Sequence, residues 1–169
     1  MILIIAGPSG SGKTTIGTLL AERLHWPFAD AESFHPPANI EKMRRGEPLT
    51  DADRWPWLHA ISAWADERNA AGESAVVTCS ALRRAYRTAL LEGHPDTRLV
   101  YLLTDRGTLR QRLAGRHGHF FPPGLLDSQL ADQEVPRGEP DVLGVTPQPE
   151  PTDTVTEIIS QVWPSGPPR

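Results

Sequence analysis

The sequence predicts an α/β fold in which a parallel central sheet is flanked by helices. Short apolar runs at 2–6, 75–79 and 98–103, and a weaker one at 26–30, have the length and composition of strands. Each run is followed by a segment of helical periodicity, as expected where parallel strands are buried on both faces. The first run also leads directly into a glycine-rich stretch, which indicates a strand, a loop and a helix in succession.

Apolar residues recur at helical spacing in five segments. The first follows the glycine-rich stretch, and the next three lie at about 53–70, 83–92 and 106–114. The fifth is C-terminal, and there Thr154 and Glu157 have the spacing of a capping box. That spacing predicts that the last helix is capped at Thr154.

The chain length of 169 residues suits one domain. Residues 136–151 contain five prolines, which favours an ordered surface loop or a mobile connection over a domain boundary. We therefore expect a single domain over 1–164 and a disordered tail over 165–169.

The composition argues against several classes of protein. A net charge of −4 without a basic stripe does not suit a nucleic-acid partner. Cys79 is the only cysteine, so no internal disulfide can form and a reducing, cytoplasmic location is expected. The first apolar run is too short for a signal peptide or a membrane span, so no membrane partner is expected.

Residues 7–14, GPSGSGKT, match the pattern G-x-x-x-x-G-K-[ST] of a P-loop. Glycines let successive N–H groups point at phosphate oxygens, and the following helix presents its positive N-terminus to the same anion. Lys13 can reach the β- and γ-phosphates, and the Thr14 hydroxyl can bind Mg²⁺. A plain glycine-rich turn is the alternative, but the strand before and the helix after favour a nucleoside triphosphate.

Two carboxylates, Asp30 and Glu32, follow the second predicted strand. Ligands of such sheets bind at the carboxyl ends of the strands, so this pair is expected to face the P-loop. Phosphoryl transfer needs an in-line acceptor, a nearby base and charge neutralisation, all of which two carboxylates beside a metal can serve. By itself, Asp-x-Glu is also a common polar loop.

Further cationic side chains follow these carboxylates. Lys13 and Lys42 are the only two lysines, and we predict that Lys42 converges with His35 and Arg54 on one side of the site. The simpler account of this stretch is a helix cap at Thr50 or Asp51.

Arginines also follow the third strand and occur at the end of the predicted helix at 106–114. Ser80 is a plausible cap of the helix that contains Arg83 and Arg84, which can equally be solvated. Arg112 and Arg116 lie on adjacent helical turns before a stretch rich in glycine and proline. That stretch predicts an arginine-bearing mobile lid over about 112–124. The nearby His117 and His119 lack partners at metal-ligand spacing, which excludes a zinc site.

These residues together resemble the P-loop gluconokinases, which phosphorylate D-gluconate with ATP. The resemblance extends to about residue 145 and is specific because its motifs occur in the same order and at the same spacing. Those motifs are the P-loop, Asp30-x-Glu32-x-x-His35-Pro36, Asn39-Ile40-Glu41-Lys42-Met43, Gly46-x-Pro48-Leu49-x-Asp51-x-Asp53-Arg54-x-Pro56-Trp57-Leu58, Cys79-Ser80-Ala81-Leu82-Arg83-Arg84-x-Tyr86-Arg87, Gly118-His119-Phe120-Phe121 and Leu126-x-Ser128-Gln129. The family's fold is of the shikimate-kinase type, a P-loop kinase fold with a mobile lid, and the resemblance favours a homodimer.

The resemblance implies a role for each candidate residue. The residues expected to bind ATP are Gly7, Ser9, Gly10, Ser11, Gly12, Lys13, Thr14, Thr15 and Arg112. Thr14 and Asp30 are expected to serve Mg²⁺, and Glu32 to meet the acceptor hydroxyl, although Asp30 and Glu32 can exchange these roles. Arg116 is expected to enter the site on lid closure and, with Lys13, Asp30 and Glu32, to complete the catalytic set. The residues expected to bind gluconate are His35, Lys42, Arg54, Arg83, Arg84 and His119.

The chain departs from the family pattern at two adjacent positions. The family usually has Gly where this chain has Ala31, and Asp where it has Glu32. The longer arm of Glu32 moves its carboxylate by about one C–C bond, and in-line transfer is sensitive to about 1 Å. Reduced activity or an altered acceptor acid is therefore one expectation. A kinase for another polyhydroxy acid such as shikimate, and a nucleotide-binding module without catalysis, are the alternatives.

Overall fold

The structure is a computed structural model that describes residues 1–115 and 123–167. Within this part of the chain, five strands pair in parallel in the order β2-β3-β1-β4-β5. They are β1 (Ile2–Ala6), β2 (Phe28–Asp30), β3 (Ala75–Cys79), β4 (Thr97–Leu102) and β5 (Val142–Val145). The predicted α/β class with a parallel central sheet is confirmed.

Helices connect the strands, as the alternating pattern predicted. They are α1 (Lys13–Leu24), a 3-10 helix (Ala31–Phe34), α2 (Pro37–Arg44), α3 (Asp51–Ala70), α4 (Arg84–Leu91), α5 (Arg106–Ala114), α6 (Pro123–Asp132) and α7 (Pro151–Val162). None of the helices in the described ranges is long and apolar enough to cross a membrane.

The central strand β1 is buried along its whole length and divides the core in two. Its even-numbered residues, such as Ile4, pack with Trp57 and Ile61 of α3 on one face of the sheet. Its odd-numbered residues, such as Ile5, pack with Leu20 of α1 and with α7 on the other face. Burial on both faces explains why this strand reads as an uninterrupted apolar run.

Helix α1 packs directly on the sheet at Gly17, which has no side chain. A Cβ atom at this position would lie 2.8 Å from Cε2 of Phe28 and 3.0 Å from Cγ2 of Thr78, so a larger residue would have to push these groups away.

Strand β5 corrects the prediction that residues 136–151 form only a loop. Its four residues pair with β4, with Leu99 opposite Val142 and Leu102 opposite Val145. It is an edge strand in which only Val145 is buried, so the segment lacks the apolar run that marks the other strands. Helices α2 and α6 were not predicted either.

Two predicted caps are also wrong. Helix α7 begins at Pro151 after an N-cap at Glu150, so Thr154 lies inside the helix, where its Oγ1 accepts a hydrogen bond from the Gln148 N–H at 2.8 Å. Proline in the first helical turn fits this earlier start. Helix α4 begins after an N-cap at Arg83 rather than at Ser80. The cap at Thr50 is confirmed, because Thr50 and Asp53 form a complete capping box at the start of α3.

Candidate active site

Three adjoining chambers lie around the P-loop at the carboxyl ends of the strands. We name the one of about 440 Å³ the loop chamber; it is lined by Ser9, Gly10, Gly12, Lys13, Thr14, Asp30, Glu32, Thr78 and Cys79. The tryptophan chamber, about 330 Å³, extends from Ser9, Lys13 and Glu32 to Trp57. The proline chamber, also about 330 Å³, extends from Gly10 and Gly12 to Pro147, Pro149 and Pro151. The P-loop and the segments that follow β2 and β3 therefore meet here, as expected for Asp30 and Glu32.

The P-loop is shaped by glycine conformations and held by its neighbours. Gly12 caps α1 with φ 97°, a left-handed backbone conformation that is strained in residues with a side chain. The Gly7 N–H donates to the carbonyl of Ser80 at 3.2 Å, which ties the loop to the segment after β3. Nζ of Lys13 donates to the Pro8 carbonyl at 2.9 Å. Of the remaining predicted nucleotide-binding residues, Ser11 and Thr15 line the proline chamber.

The two carboxylates occupy different places in the site. Asp30 lines the loop chamber, and its Oδ1 accepts the Glu32 N–H at 3.0 Å, which caps the 3-10 helix. Glu32 lines both the loop chamber and the tryptophan chamber. Its side chain is 58% exposed, but the protein around the cleft hinders its hydration and raises its pKa. The charge of Lys13 opposes this rise and that of Asp30 adds to it.

The oxygen donors of the loop chamber suit Mg²⁺. Mg²⁺ prefers oxygen ligands and keeps several waters, so it needs few protein groups beside the phosphates of a substrate. Thr14 and Asp30 line the chamber, and the buried Oγ1 of Thr78 has no hydrogen-bond partner in the described structure. In the same described residues, no cluster of three or more His, Cys, Asp or Glu side chains could hold a metal by itself.

His35 forms part of the wall of the tryptophan chamber. Its ring stacks on the indole of Trp57, with centroids 4.2 Å apart and planes inclined by 12°. Burial lowers the pKa of His35 to about 4, and the positive charge of Arg54 adds to this effect. The imidazole is therefore neutral near pH 7 and cannot supply a cation to a substrate carboxylate.

Arg54 and Arg83 meet at a shared carboxylate on α6. Nη1 of Arg54 donates to Oδ2 of Asp132 at 3.1 Å, and Nη2 of Arg83 donates to Oδ1 of the same residue at 2.6 Å. Partial burial disfavours ionisation of Asp132, but these two bonds outweigh it and lower its pKa. Arg54 also donates to the Tyr86 hydroxyl at 3.0 Å, and that hydroxyl donates to Asp51. Arg54 lines the tryptophan chamber, with Arg83 behind it.

Lys42 and Arg84 do not line the tryptophan chamber in this structure. Nζ of Lys42 donates to both carboxylate oxygens of Asp53, at 2.9 and 2.7 Å, and so supports the capping box of α3. Arg84 is exposed and lines a separate surface depression together with Arg87 and Glu139. Among the described residues, neither side chain belongs to the lining of the tryptophan chamber.

Gln129 of α6 joins the P-loop to the tryptophan chamber. Its Oε1 accepts the Ser9 N–H at 2.9 Å, and its Nε2 donates to the Ser9 hydroxyl at 3.1 Å. The sequence marked Gln129 only as part of a motif and assigned it no role. Asp132, one turn further along α6, was missed altogether, since its partners lie on α3 and α4.

Arg112 stands between the P-loop and the proline-rich segment. Its Nη1 lies 3.4 Å from the Gly10 carbonyl and 3.3 Å from the Ser11 carbonyl. Across the proline chamber are Pro147 and Pro149, whose segment carried no functional prediction. Arg116, His119 and most of the predicted lid at 112–124 lie outside the described residues, as do the last two residues of the predicted tail.

Comparison with known proteins agrees with this geometry. A family model described as an AAA domain matches residues 2–136. The chain is 47% identical to a gluconokinase of Gluconobacter oxydans over 157 residues, which cover 93% of this chain and 88% of that protein. The chain belongs to the gluconokinase family.

Solved structures of this family have the same fold. A gluconokinase from Sinorhizobium meliloti matches with a TM-score of 0.81 at 39% identity, over 95% of this chain and 94% of that one. An unliganded sugar kinase from Janibacter sp. matches with a TM-score of 0.86 at 43% identity, covering 95% and 93%. A shikimate kinase from Aquifex aeolicus, 15% identical with a TM-score of 0.56, shows that the fold is of the expected kinase type.

Ala31 and Glu32, the two residues expected to depart from the family pattern, each make specific contacts in this structure. The Ala31 methyl is fully buried in the core, and the Ala31 carbonyl accepts the indole N–H of Trp57 at 2.6 Å. The longer side chain of Glu32 brings its Oε2 to 3.6 Å from Nε2 of His35. The Glu32 carboxylate therefore has His35 as a neighbour on the acceptor side.

Proposed function

We propose that the chain transfers the γ-phosphoryl group of ATP to the 6-hydroxyl of D-gluconate, giving 6-phosphogluconate and ADP. The observation that carries this proposal is the shared wall of two chambers. Lys13 and Glu32 line both the loop chamber and the tryptophan chamber, so a phosphate held in the first faces a small molecule held in the second. Membership of the gluconokinase family supports gluconate as that molecule.

The nucleotide would lie along the P-loop from the proline chamber to the loop chamber. Arg112 and the prolines opposite it would receive the base, while N–H groups of the loop and Nζ of Lys13 would bind the phosphates. Thr14 and Asp30 would hold Mg²⁺, which supplies neutralisation of the phosphate charge. Arg116 would add a further positive charge, as the family resemblance implies.

The transfer itself needs one proton acceptor. The acceptor hydroxyl oxygen bonds to the γ-phosphorus, the bond from that phosphorus to the β–γ bridging oxygen breaks, and ADP leaves with the bonding electrons. Glu32 takes the hydroxyl proton and later releases it to water. Its place on the wall of both chambers favours Glu32 over Asp30 for this role, since Asp30 lines the loop chamber alone.

The acceptor would be oriented by the tryptophan chamber. Arg54 offers a guanidinium for the gluconate carboxylate, and the neutral ring of His35 forms the adjoining wall against which the gluconate chain would lie. Arg83 would act through Asp132, which it shares with Arg54. Lys42 would support gluconate binding indirectly, through its bond to Asp53 at the start of α3. Arg84 would do so through its backbone N–H, which donates to Glu134 at 2.6 Å. His119 keeps the substrate-binding role that the resemblance implies.

The test is ADP release at saturating ATP and Mg²⁺ with gluconate, with shikimate and without acceptor. We expect gluconate to stimulate release strongly and shikimate to leave it near the acceptor-free rate. The position of transfer is read by phosphorus NMR of the product, where coupling to the two C6 protons is expected. Equal rates with and without gluconate would refute the proposal and favour a nucleotide-binding module instead.

A homodimer remains a prediction of the family resemblance. Sedimentation equilibrium of the unliganded chain tests it, with twice the chain mass expected.

A further inference from the structure

The imidazole of His35 is fixed on its flat face and along its edge. It is 7% exposed and stacks on Trp57, which is itself held by its hydrogen bond to the Ala31 carbonyl. At its edge, Nδ1 lies 3.3 Å from Nδ2 of Asn39, a residue of α2 that is 3% exposed. The ring therefore has little freedom to turn within the wall of the tryptophan chamber.

The amide of Asn39 determines which nitrogen of the ring carries hydrogen. Its Nδ2 also lies 2.8 Å from the carbonyl oxygen of Asp53. Because a carbonyl only accepts hydrogen bonds, the amide must present its nitrogen there and not its oxygen. The second hydrogen of that nitrogen faces Nδ1 of His35, which must then be the unprotonated acceptor. The neutral ring consequently carries its hydrogen on Nε2.

That hydrogen faces the carboxylate assigned as the base. Nε2 of His35 lies 3.6 Å from Oε2 of Glu32, just beyond hydrogen-bond length. The other charged groups around this pair are Arg54, which faces the ring, and Lys13 and Asp30, which face Glu32. An aspartate at position 32 would be shorter by about one C–C bond, so the approach to His35 depends on the glutamate of this chain.

We propose that Asn39 and His35 are positioning residues for Glu32: Asn39 fixes the ring as an Nε2–H donor, and that donor faces Oε2 of Glu32 across 3.6 Å and orients the carboxylate. The other carboxylate oxygen is then left for the acceptor hydroxyl. The inference rests on the proposed function for the role of Glu32 as base, whereas the tautomer of His35 stands independently of any substrate.

The first test reads the tautomer by nitrogen-15 NMR of the histidine side chains in the unliganded chain. A variant that lacks His35 assigns its signals. His94 provides an internal reference, since its Nδ1 lies 2.6 Å from Oδ1 of Asp66 and must carry the hydrogen. We expect His35 to show the Nε2–H form from about pH 6 to pH 8 and His94 to show hydrogen on Nδ1. In Asn39→Asp, whose carboxylate can only accept, we expect His35 to gain hydrogen on Nδ1. A wild-type His35 that is cationic or Nδ1–H in this range overturns the proposal.

The second test uses two variants that separate the donor from the ring. In His35→Gln the amide nitrogen falls near the position of Nε2, whereas in His35→Asn it falls near that of Nδ1. If the Nε2–H donor orients the carboxylate, Glu32 should stay beside the amide nitrogen in H35Q and turn away in H35N. Crystal structures of the wild type and of both variants measure this without turnover, and a Glu32 carboxylate in the same place in wild type and H35N would refute the proposal.

Turnover then separates this inference from the proposed function. We expect kcat on gluconate to fall about 10-fold in H35N with a smaller loss in H35Q, which restores a donor near the position of Nε2. Equal losses in both variants would count against a positioning role. If gluconate gave no turnover even in wild type, the proposed function would fail, but the NMR and crystallographic tests would still decide the arrangement of His35 and Glu32.

Discussion

The two sides of the active site are built on different principles. The nucleotide side is a continuous stretch of backbone, shaped by glycine conformations such as that of Gly12 and followed by a helix that packs on the sheet at Gly17. The acceptor side is built from side chains of the 3-10 helix, α2, α3 and α6, which hydrogen bonds and ion pairs hold in place. A site formed by backbone groups is encoded by consecutive residues, whereas a site formed by side chains depends on contacts between distant segments.

The largest loss is expected when the phosphate contact itself is removed. Lys13→Ala deletes the positive charge that faces the transferred group, so kcat should fall by about 10³-fold or more. Rapid-quench or coupled-enzyme measurement of ADP release checks this. The melting temperature serves as the control and should change little, since Lys13 is half-buried and lies outside both core clusters. Turnover close to wild type would contradict the assignment of the P-loop.

Substitution of Arg54 and of Arg112, which lie on opposite sides of the site, should change the KM for different substrates. Arg54→Ala is expected to raise the KM for gluconate about 10- to 100-fold with little change for ATP, because a charged hydrogen-bond donor is lost from the tryptophan chamber. Arg112→Ala is its matched control and should raise the KM for ATP instead. Steady-state kinetics with each substrate varied in turn provides the measurement, and an effect of both variants on the same substrate would show that the two sides are not independent.

A smaller effect is expected at the contact that joins the two sides. Gln129→Leu removes both hydrogen bonds to Ser9 and should lower kcat/KM about 10-fold for gluconate and for ATP alike. Gln129→Glu keeps an acceptor for the Ser9 N–H but loses the donor to its hydroxyl, so an intermediate loss is expected. A loss confined to one substrate would place Gln129 on that side alone.

The smallest effect concerns the acid stability of the acceptor side. Hydrogen bonds from Lys42 and Thr50 lower the pKa of Asp53 to about 2 from its ordinary 3.8. Because the folded-state pKa is depressed, this stabilisation is complete above pH 3.8 and is lost as the pH falls toward about 2. In Lys42→Ala the pKa of Asp53 is depressed less, so the stabilisation is smaller and the acid unfolding midpoint should move to higher pH, which near-UV circular dichroism of the α3 tryptophans records. An acid transition unchanged from wild type would show that Lys42 does not stabilise the capping box. The sequence-based expectation that Lys42 binds gluconate predicts instead a raised gluconate KM at neutral pH.

The sequence predicted those features whose cause is local. The strands of the sheet's centre, the P-loop and the cap at Thr50 each follow from a few adjacent residues. Strand β5 was not predicted because its composition is not typical of a strand; its strand conformation follows from its pairing with β4. The start of α7 was misplaced because Thr154, which has the spacing of a cap, is bonded to Gln148 from within the helix. A signal for the true start was present in Pro151.

For the acceptor side, the sequence predicted the types of residue but not the contacts between them. The sequence supplied the right kinds of residue, but nothing in it indicated that Lys42 is held by Asp53, or that Asp132 joins Arg54 to Arg83. These partners are separated by 11 to 78 residues along the chain, so only the folded arrangement brings them together.

The proline chamber carries a consequence for the way a base would be held. Proline has no backbone N–H, so Pro147, Pro149 and Pro151 present only carbonyl oxygens, and the N–H of Gln148 is already bonded to Thr154. Hydrogen-bond donors to a base in this chamber would therefore come mainly from the opposite wall, which includes Arg112, Ser11 and Thr15. On the proline side, a base would be held chiefly by packing against the rings.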